Sequence, residues 1–325
     1  MQSFLDPAIL FFVFGIVAGL IKSNLEIPPQ ISRFLSLYLL MALGLKGGFA
    51  LAESGLTQEV AITLGSALLL ATVIPALGYW VLRRYLNGFD AAAIAATYGS
   101  VSAVTFITAT QYLETRGVAF GGHMAAAMAL MESPAIILAV VLANRVRQQQ
   151  RASNPANPVT LDAPLGKVLH ESLTDGAQLL LLGAMLIGII SGDSGQAAMK
   201  PFTGDLFKGM LAFFLLDMGL LAARNVSQLR GQSAWLLGYA LLAPPVHAAL
   251  ALALCAALGI SAGNGALLMV LAASASYIAV PAVVRQAIPE AKPALYFGMS
   301  LGMTFPLNIL LGIPVYVWVA QKVLL

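Results

Sequence analysis

The stretch Ala91–Gln111, AAAIAATYGSVSAVTFITATQ, decides the fold. It carries no charge and is long enough to cross a bilayer, which takes about 20 mostly apolar residues. Its centre, TYGSVSAVT at 97–105, nevertheless packs together a glycine and the hydroxyls of Thr97, Ser100, Ser102 and Thr105. A membrane helix rarely needs that many hydroxyls, and the segment reads as the one the rest of the chain is arranged to hold.

Working outward, the rest of the chain is equally apolar. Of 325 residues, 59% are hydrophobic and only 10% charged, with a mean hydropathy of +0.87. No ordinary soluble domain has that balance, and the chain reads as an all-α polytopic membrane protein. Bilayer-length segments fall near 7–22, 31–52, 59–82, 90–112, 121–144, 172–191, 204–224, 232–258, 264–286 and 293–322, which predicts ten transmembrane helices. The first, Pro7–Leu20, lacks a preceding basic region and a small-residue cleavage site, so it reads as a mature span rather than a signal peptide.

With the N-terminus outside, twelve lysines and arginines fall in inner loops, Arg83, Arg84, Arg145 and Arg147 among them, against four outside, Arg116, Lys200, Lys208 and Lys322. This positive-inside bias places both termini on the non-cytoplasmic side. It also accounts for the net charge of +3 without a nucleic-acid partner. The lone Cys255, in an apolar run, excludes a disulfide framework and reads as packing. His123, His170 and His247 lack metal-ligand spacing, and Asn225-Val-Ser227 falls on the side where glycosylation does not occur.

The polar stretch Val146–Ala163, VRQQQRASNPANPVTLDA, cannot build a packed core and reads as a cytoplasmic linker, 146–165, between halves 1–145 and 166–325. A passive connection and a regulator's docking site are both open. The halves repeat each other: SVSAVTFI at 100–107 aligns with SASYIAVP at 274–281, LMALGL at 40–45 with LLDMGL at 215–220, and LMESPAIIL at 130–138 with GMTFPLNIL at 302–310. Five spans per half is an odd number, so the second half enters the membrane upside down. Such inverted repeats mark secondary transporters, with the site at mid-membrane where interrupted helices meet.

A break in a membrane helix frees backbone groups that need protein or water beside them. Gly99 in the fourth span and Pro281 in the ninth are the expected causes. Half-helices starting near Ser102 and Ala279 point their positive N-terminal ends to mid-membrane, which suits a small anion. Ser100, Ser102, Thr105, Ser274 and Ser276 add hydroxyls, although small residues of this kind also serve close helix packing. Glu132, in MESPAII ahead of Pro134, is an intramembrane carboxylate fit for a sodium ion or proton exchange, with Asn308 a neutral oxygen near its counterpart. Lys46 and Asp217 occupy corresponding spans and read as a buried structural pair.

Four motifs, GSVSAVT at 99–105, MESPAIILAVVLAN at 131–144, LAPPVHAALA at 242–251 and LAASASYIAVPAVVRQAIPEAKPALYFG at 271–298, resemble the cyanobacterial-type sodium-dependent bicarbonate transporters, the SbtA family, over essentially the whole chain. The resemblance implies a fold similar to the bile-acid sodium symporter type. Spans one, two, six and seven would then form a gate domain, and three to five with eight to ten a core in which four and nine cross. It implies elevator-type symport of sodium and bicarbonate, a homotrimer, a PII-like regulator on the cytoplasmic face and residence in a bacterial inner membrane. The implied anion pocket is Gly99, Ser100, Val101, Ser102 and Ala103, with Thr105, facing Ser274, Ala275 and Ser276. The implied ion-coupling set is Glu132, Ser133, Ser276, Tyr277, Thr304 and Asn308, with sodium as the coupling ion and no other cofactor. Tyr277 and Glu132 both stand where that family carries aspartate. The rival readings are a sodium- or proton-coupled symporter of another small anion such as a monocarboxylate, an intramembrane enzyme with Ser100 or Ser102 as nucleophile, and an anion sensor.

Overall fold

The computed structural model describes residues 6–55, 57–153, 164–226, 229 and 231–324. Most of the predicted linker, 154–163, and the last residue of Asn225-Val-Ser227 lie outside the described residues. Among the described residues the regular structure is all helical, with no strands, and seven helices are long and apolar enough to cross a membrane.

In chain order the helices are α1 Pro7–Leu20, α2 Pro29–Ser54, α3 Gln58–Leu82, α4 Gly88–Gly99, α5 Ala103–Thr115 and α6 Met124–Ser153. They are followed by α7 Leu165–Leu173, α8 Gly176–Lys200, α9 Leu206–Val226, α10 Ala234–Leu258, α11 Ala262–Ala273 and α12 Ala279–Ala287. The last, α13 Pro293–Val323, contains two π-helical turns, Ser300–Thr304 and Asn308–Gly312.

Short polar side chains start these helices by accepting first-turn N–H groups that have no carbonyl of their own. Asp6 caps α1, Thr57 α3, Asn87 α4, Asp175 α8 and Ser233 α10. Gly192, at φ 52°, kinks α8 in a conformation that side chains with a Cβ rarely adopt. The kink ends the apolar part of α8 where the sequence predicts a span to end, at 191. At the other end of the first half, α6 runs on past the predicted boundary at 145 to Ser153. Arginine and glutamine are good helix formers, and the Arg147 guanidinium is anchored, only 1% exposed, between Glu290 at 2.7 Å and Asn144 at 2.8 Å.

Two long seams dominate the packing. α1 lies along α9, and α2 along α8. Both are close backbone contacts: a Cβ on Gly48 would stand 2.1 Å from the Met185 carbonyl, and one on Gly219 would stand 2.2 Å from that of Phe12. Residues four apart serve each seam, Gly44 with Gly48 facing Ala184 and Gly188, and Gly15 with Gly19 facing Gly219 and Ala223. Apolar tails compete with apolar side chains inside a bilayer, so helix association there relies on such small-residue contacts. The other helices gather around α4 and α5, and 94% of the apolar window in 88–115 is buried inside the protein. The stretch quoted first therefore lies in the most buried of the seven long apolar helical segments.

Candidate functional site

Both expected interruptions are present. α4 ends at Gly99, residues 100–102 are extended or unwound, and α5 begins at Ala103 behind Ser102. In the second half, 274–278 separate α11 from α12. The cause of the first break differs from expectation, because Gly99 is helical. A Cβ there would stand 2.4 Å from the Pro75 ring on α3, so this glycine serves close approach and not an unusual backbone conformation. Pro281 sits in the first turn of α12, where its missing N–H costs nothing, so it permits the helix start more than it breaks a preceding turn.

The two breaks bond directly to each other. The Ser102 N–H donates to the Ser274 hydroxyl oxygen at 3.0 Å, and the Ser276 N–H donates to the Thr97 carbonyl at 2.8 Å. Each unwound strand also caps the helix that follows: Ser102 Oγ accepts the Thr105 N–H at 3.2 Å, and Ser276 Oγ accepts the Val280 N–H at 3.2 Å. This leaves the first-turn N–H groups of Ala103, Val104 and Ala279 with no carbonyl in their own helices. All three residues line one cavity of about 180 Å³. That is the liquid volume of about six waters.

Glu132 of α6 and Asp175 and Gln178 at the start of α8 complete the polar wall, against Leu40, Met128 and Ile136. Glu132 shares the cavity wall with the Gln178 amide and with a second carboxylate, Asp175. The cavity thus combines helix N-termini, which favour an anion, with two carboxylates, which favour a cation or a proton.

Of the residues expected around an anion, Val101, Ser102, Ala103 and Ser276 border the cavity. Gly99, Ser100, Thr105, Ser274 and Ala275 form a layer behind it, where the Thr105 hydroxyl donates to Ser102 Oγ at 3.0 Å and the Ser100 hydroxyl is buried without a partner. Of the expected ion-coupling residues, Glu132, Ser276 and Tyr277 border the cavity. Tyr277 packs its ring on Phe305 at 5.1 Å, and its buried hydroxyl faces Ser102 without forming a well-aligned hydrogen bond. Ser133 follows Glu132 on α6 but does not line the cavity.

Thr304 and Asn308 are not brought there. Thr304 donates to the Ala240 carbonyl at 2.9 Å and meets the Tyr98 hydroxyl at 2.6 Å, while the Asn308 amide donates to the Ala273 carbonyl at 2.8 Å and so holds the end of α11. Their polar atoms are committed to the scaffold of the break. The expected Lys46–Asp217 pair is also corrected. Lys46 Nζ lies 2.8 Å from Glu114, and Asp217 accepts a hydrogen bond from the Ser32 hydroxyl. Helix register explains it: Asp217 stands opposite residue 32 of α2, and Lys46 is about 21 Å further along that helix.

Asp175 and Gln178 went unnoticed in the sequence. Their signal was present, an Asp three residues ahead of a Gln before the apolar run LLLLGAML, but such a pattern marks a helix start and says nothing of what the cap faces. Among the described residues no group of three or more His, Cys, Asp or Glu side chains is placed to hold a metal ion.

A family model described as the Na+-dependent bicarbonate transporter superfamily matches residues 7–321. No curated protein matches the chain.

Proposed function

The chain belongs to the Na+-dependent bicarbonate transporter superfamily, a family of membrane transporters and not enzymes, and we propose that it is a sodium-coupled symporter of bicarbonate. The observation that carries the reading is the cavity lined by the first residues of two helices, Ala103 and Val104 of α5 and Ala279 of α12, beside Glu132. Helix N-termini recognise small anions through exposed N–H groups and the macrodipole together, and two such ends from different halves meet here.

In this reading the chain crosses the membrane ten times as two inverted five-helix repeats. α1, α2, α8 and α9 form the gate, and α3–α6 with α10–α13 form the core. A sodium ion binds first at Glu132, close to Ser276, and offsets the charge of the incoming anion. Bicarbonate then docks on the amides of residues 102–104, with the Ser102 hydroxyl beside it, and the core slides against the gate in an elevator-type movement. Coupling needs each ligand to favour the other's bound state, a linkage that is reciprocal. Basic loop asymmetry sets the orientation in a bacterial inner membrane, both termini outward, and puts the Asp175 end of the cavity toward the cytoplasm. Assembly as a trimer and a PII-like cytoplasmic partner belong to the same proposal.

A second reading is favoured by one observation: Tyr277 borders the cavity with a phenol and no carboxylate. Glu132 is then the main acidic group of the core at the site, and a proton could take the place of sodium, with another small anion such as a monocarboxylate as cargo. Uptake of labelled bicarbonate by purified protein in liposomes separates the two. Sodium-coupled symport requires uptake that rises with an inward sodium gradient at constant pH. Uptake driven by a pH gradient and indifferent to sodium overturns it.

A further inference from the structure

We propose that the Lys46–Glu114 ion pair is a latch across the sliding boundary, which holds the arrangement seen here and opens when the core moves. The inference rests on the gate-and-core reading above. Lys46 belongs to α2, and its ammonium is held on the gate side, 4.7 Å from the ring centroid of Phe207 on α9. Glu114 lies in the last turn of α5, on the core side. Nζ meets both carboxylate oxygens, at 2.8 and 2.9 Å, although α2 and α5 otherwise touch over a small patch. Another ion pair, Arg147 with Glu290, joins α6 to the segment after α12 and stays within the core.

The position along the boundary matters as much as the contact. A second cavity, of about 600 Å³, lies along the same α2–α8 face as the site and is lined by Lys46, Glu114, Asp193 and Lys200. On α2 Leu40 lines the 180 Å³ cavity and Leu43 the 600 Å³ one, and on α6 Met128 and Met124 divide in the same way, so about one helical turn of apolar side chains marks the boundary between the two. The ion pair therefore sits on the side of that apolar turn away from the site. A displacement of one helical turn, about 5 Å, takes the carboxylate out of contact with the ammonium.

The repeat supplies no equivalent. The alignments that pair LMALGL with LLDMGL and SVSAVTFI with SASYIAVP put Leu221 and Ile288 at the positions of Lys46 and Glu114. Both are apolar and wholly or partly buried. A contact present in one repeat and absent from the other stabilises one of two mirror-related arrangements and not its partner. With side chains 27% and 35% exposed, the pair is worth little more than a surface ion pair, enough for about a fivefold bias between the two states. A transporter that cycles needs a bias of that modest size.

The test uses full-length protein in liposomes with Cys255→Ala and one added cysteine, Ala177→Cys in the 180 Å³ cavity or Ala50→Cys in the 600 Å³ cavity. Lys46→Met and Glu114→Gln are expected to slow labelling at position 177 and speed it at 50, changing the ratio about fivefold. The exchange Lys46→Glu with Glu114→Lys is expected to restore the parent ratio. A lowered melting temperature with an unchanged labelling ratio overturns the latch and makes the pair a static brace. If the parent protein's ratio ignores sodium and bicarbonate altogether, sliding fails and the latch with it. If the parent responds and all three variants match it, the latch alone fails.

Discussion

Two cavities of this molecule are built from matching parts and differ sixfold in size. The first, about 180 Å³, has Asp175, Ala177 and Gln178 from the start of α8, Ser36 of α2, Ala282 of α12 and Ile136 of α6 on its wall. The second, about 30 Å³, has Asp6, Ala8 and Ile9 from the start of α1, Leu211 of α9, Thr108 of α5 and Ile309 of α13. Pairing α8 with α1, α2 with α9, α12 with α5 and α6 with α13 is the correspondence the sequence repeat predicts. One cavity has room for a small anion, and the other for about one water. A protein with two symmetry-related half-sites that opened both would leak. On the proposed alternating-access reading, the inequality corresponds to one of two exchangeable states, with the roomier of these two half-sites at the Asp175 end.

The chemistry of the two half-sites differs more sharply than their volume. The repeat puts Thr304 where the first half has Glu132. Glu132 borders the open cavity, whereas the Thr304 hydroxyl is spent on Ala240 and Tyr98. Exchanging each tests whether cation coupling belongs to one half only. Glu132→Gln is expected to weaken the coupling cation by about 10- to 100-fold, the loss of a charged ligand, read as the sodium concentration for half-maximal uptake. Thr304→Val should leave that value within about twofold and instead lower stability by about 1–3 kcal/mol, because the buried Tyr98 hydroxyl loses its partner. Equal losses of sodium dependence would break the comparison.

The unwound strands allow a finer version. Ser102 and Ser276 are repeat partners with the same duty, each capping the following helix, at 3.2 Å in both cases. Ser102 alone also receives the Thr105 hydroxyl. Replacing a capping serine by alanine costs about 0.5–2 kcal/mol. Ser102→Ala is expected to reduce bicarbonate affinity about tenfold, since it disorders the α5 end that offers two free amides. Ser276→Ala, at an end that offers one, should cost about threefold. The measurement is concentration-dependent uptake at saturating sodium, and a larger loss for Ser276→Ala reverses the assignment of the main docking end.

Much of this was legible in advance, and the failures share a cause. The breaks at 100–102 and 274–278 were readable because two polar patches, SVSAVTFI and SASYIAVP, align at a constant offset between the halves. So was the start of α5 at its capping serine. Gly99 was misread because its reason is the Pro75 ring, a neighbour on another helix. Lys46 was matched with the wrong carboxylate because sequence offset says which spans correspond and not at what height their side chains meet. The glycines of the two seams, Gly48 and Gly219, gave no sign of their role, since close approach needs two surfaces and the sequence lays out one at a time. Site geometry that depends on one segment survives reading from the chain; geometry that depends on the register of two does not.

The smallest predicted effect is the most exacting, because it changes a single charge at matched places. Asp6 and Asp175 cap α1 and α8 in the same way, each accepting an N–H from the helix that follows, at 2.8 and 3.0 Å. Asparagine caps as well as aspartate, so Asp6→Asn and Asp175→Asn remove charge and leave the helix starts intact. Asp175 shares its cavity with a second carboxylate, Glu132. Asp6 shares its cavity with Thr108, Gln111 and Tyr112, which carry no charge. A cation drawn into the open half-site feels both carboxylates there. Asp175→Asn is therefore expected to raise the sodium requirement about fivefold, roughly 1 kcal/mol for charges several ångströms apart beside water, while Asp6→Asn changes it by less than about twofold. The sign carries the information. If Asp175→Asn instead lowers the sodium requirement, its charge acts mainly by holding a proton on Glu132, and the open half-site is an acid pair tuned for protons in place of a sodium site.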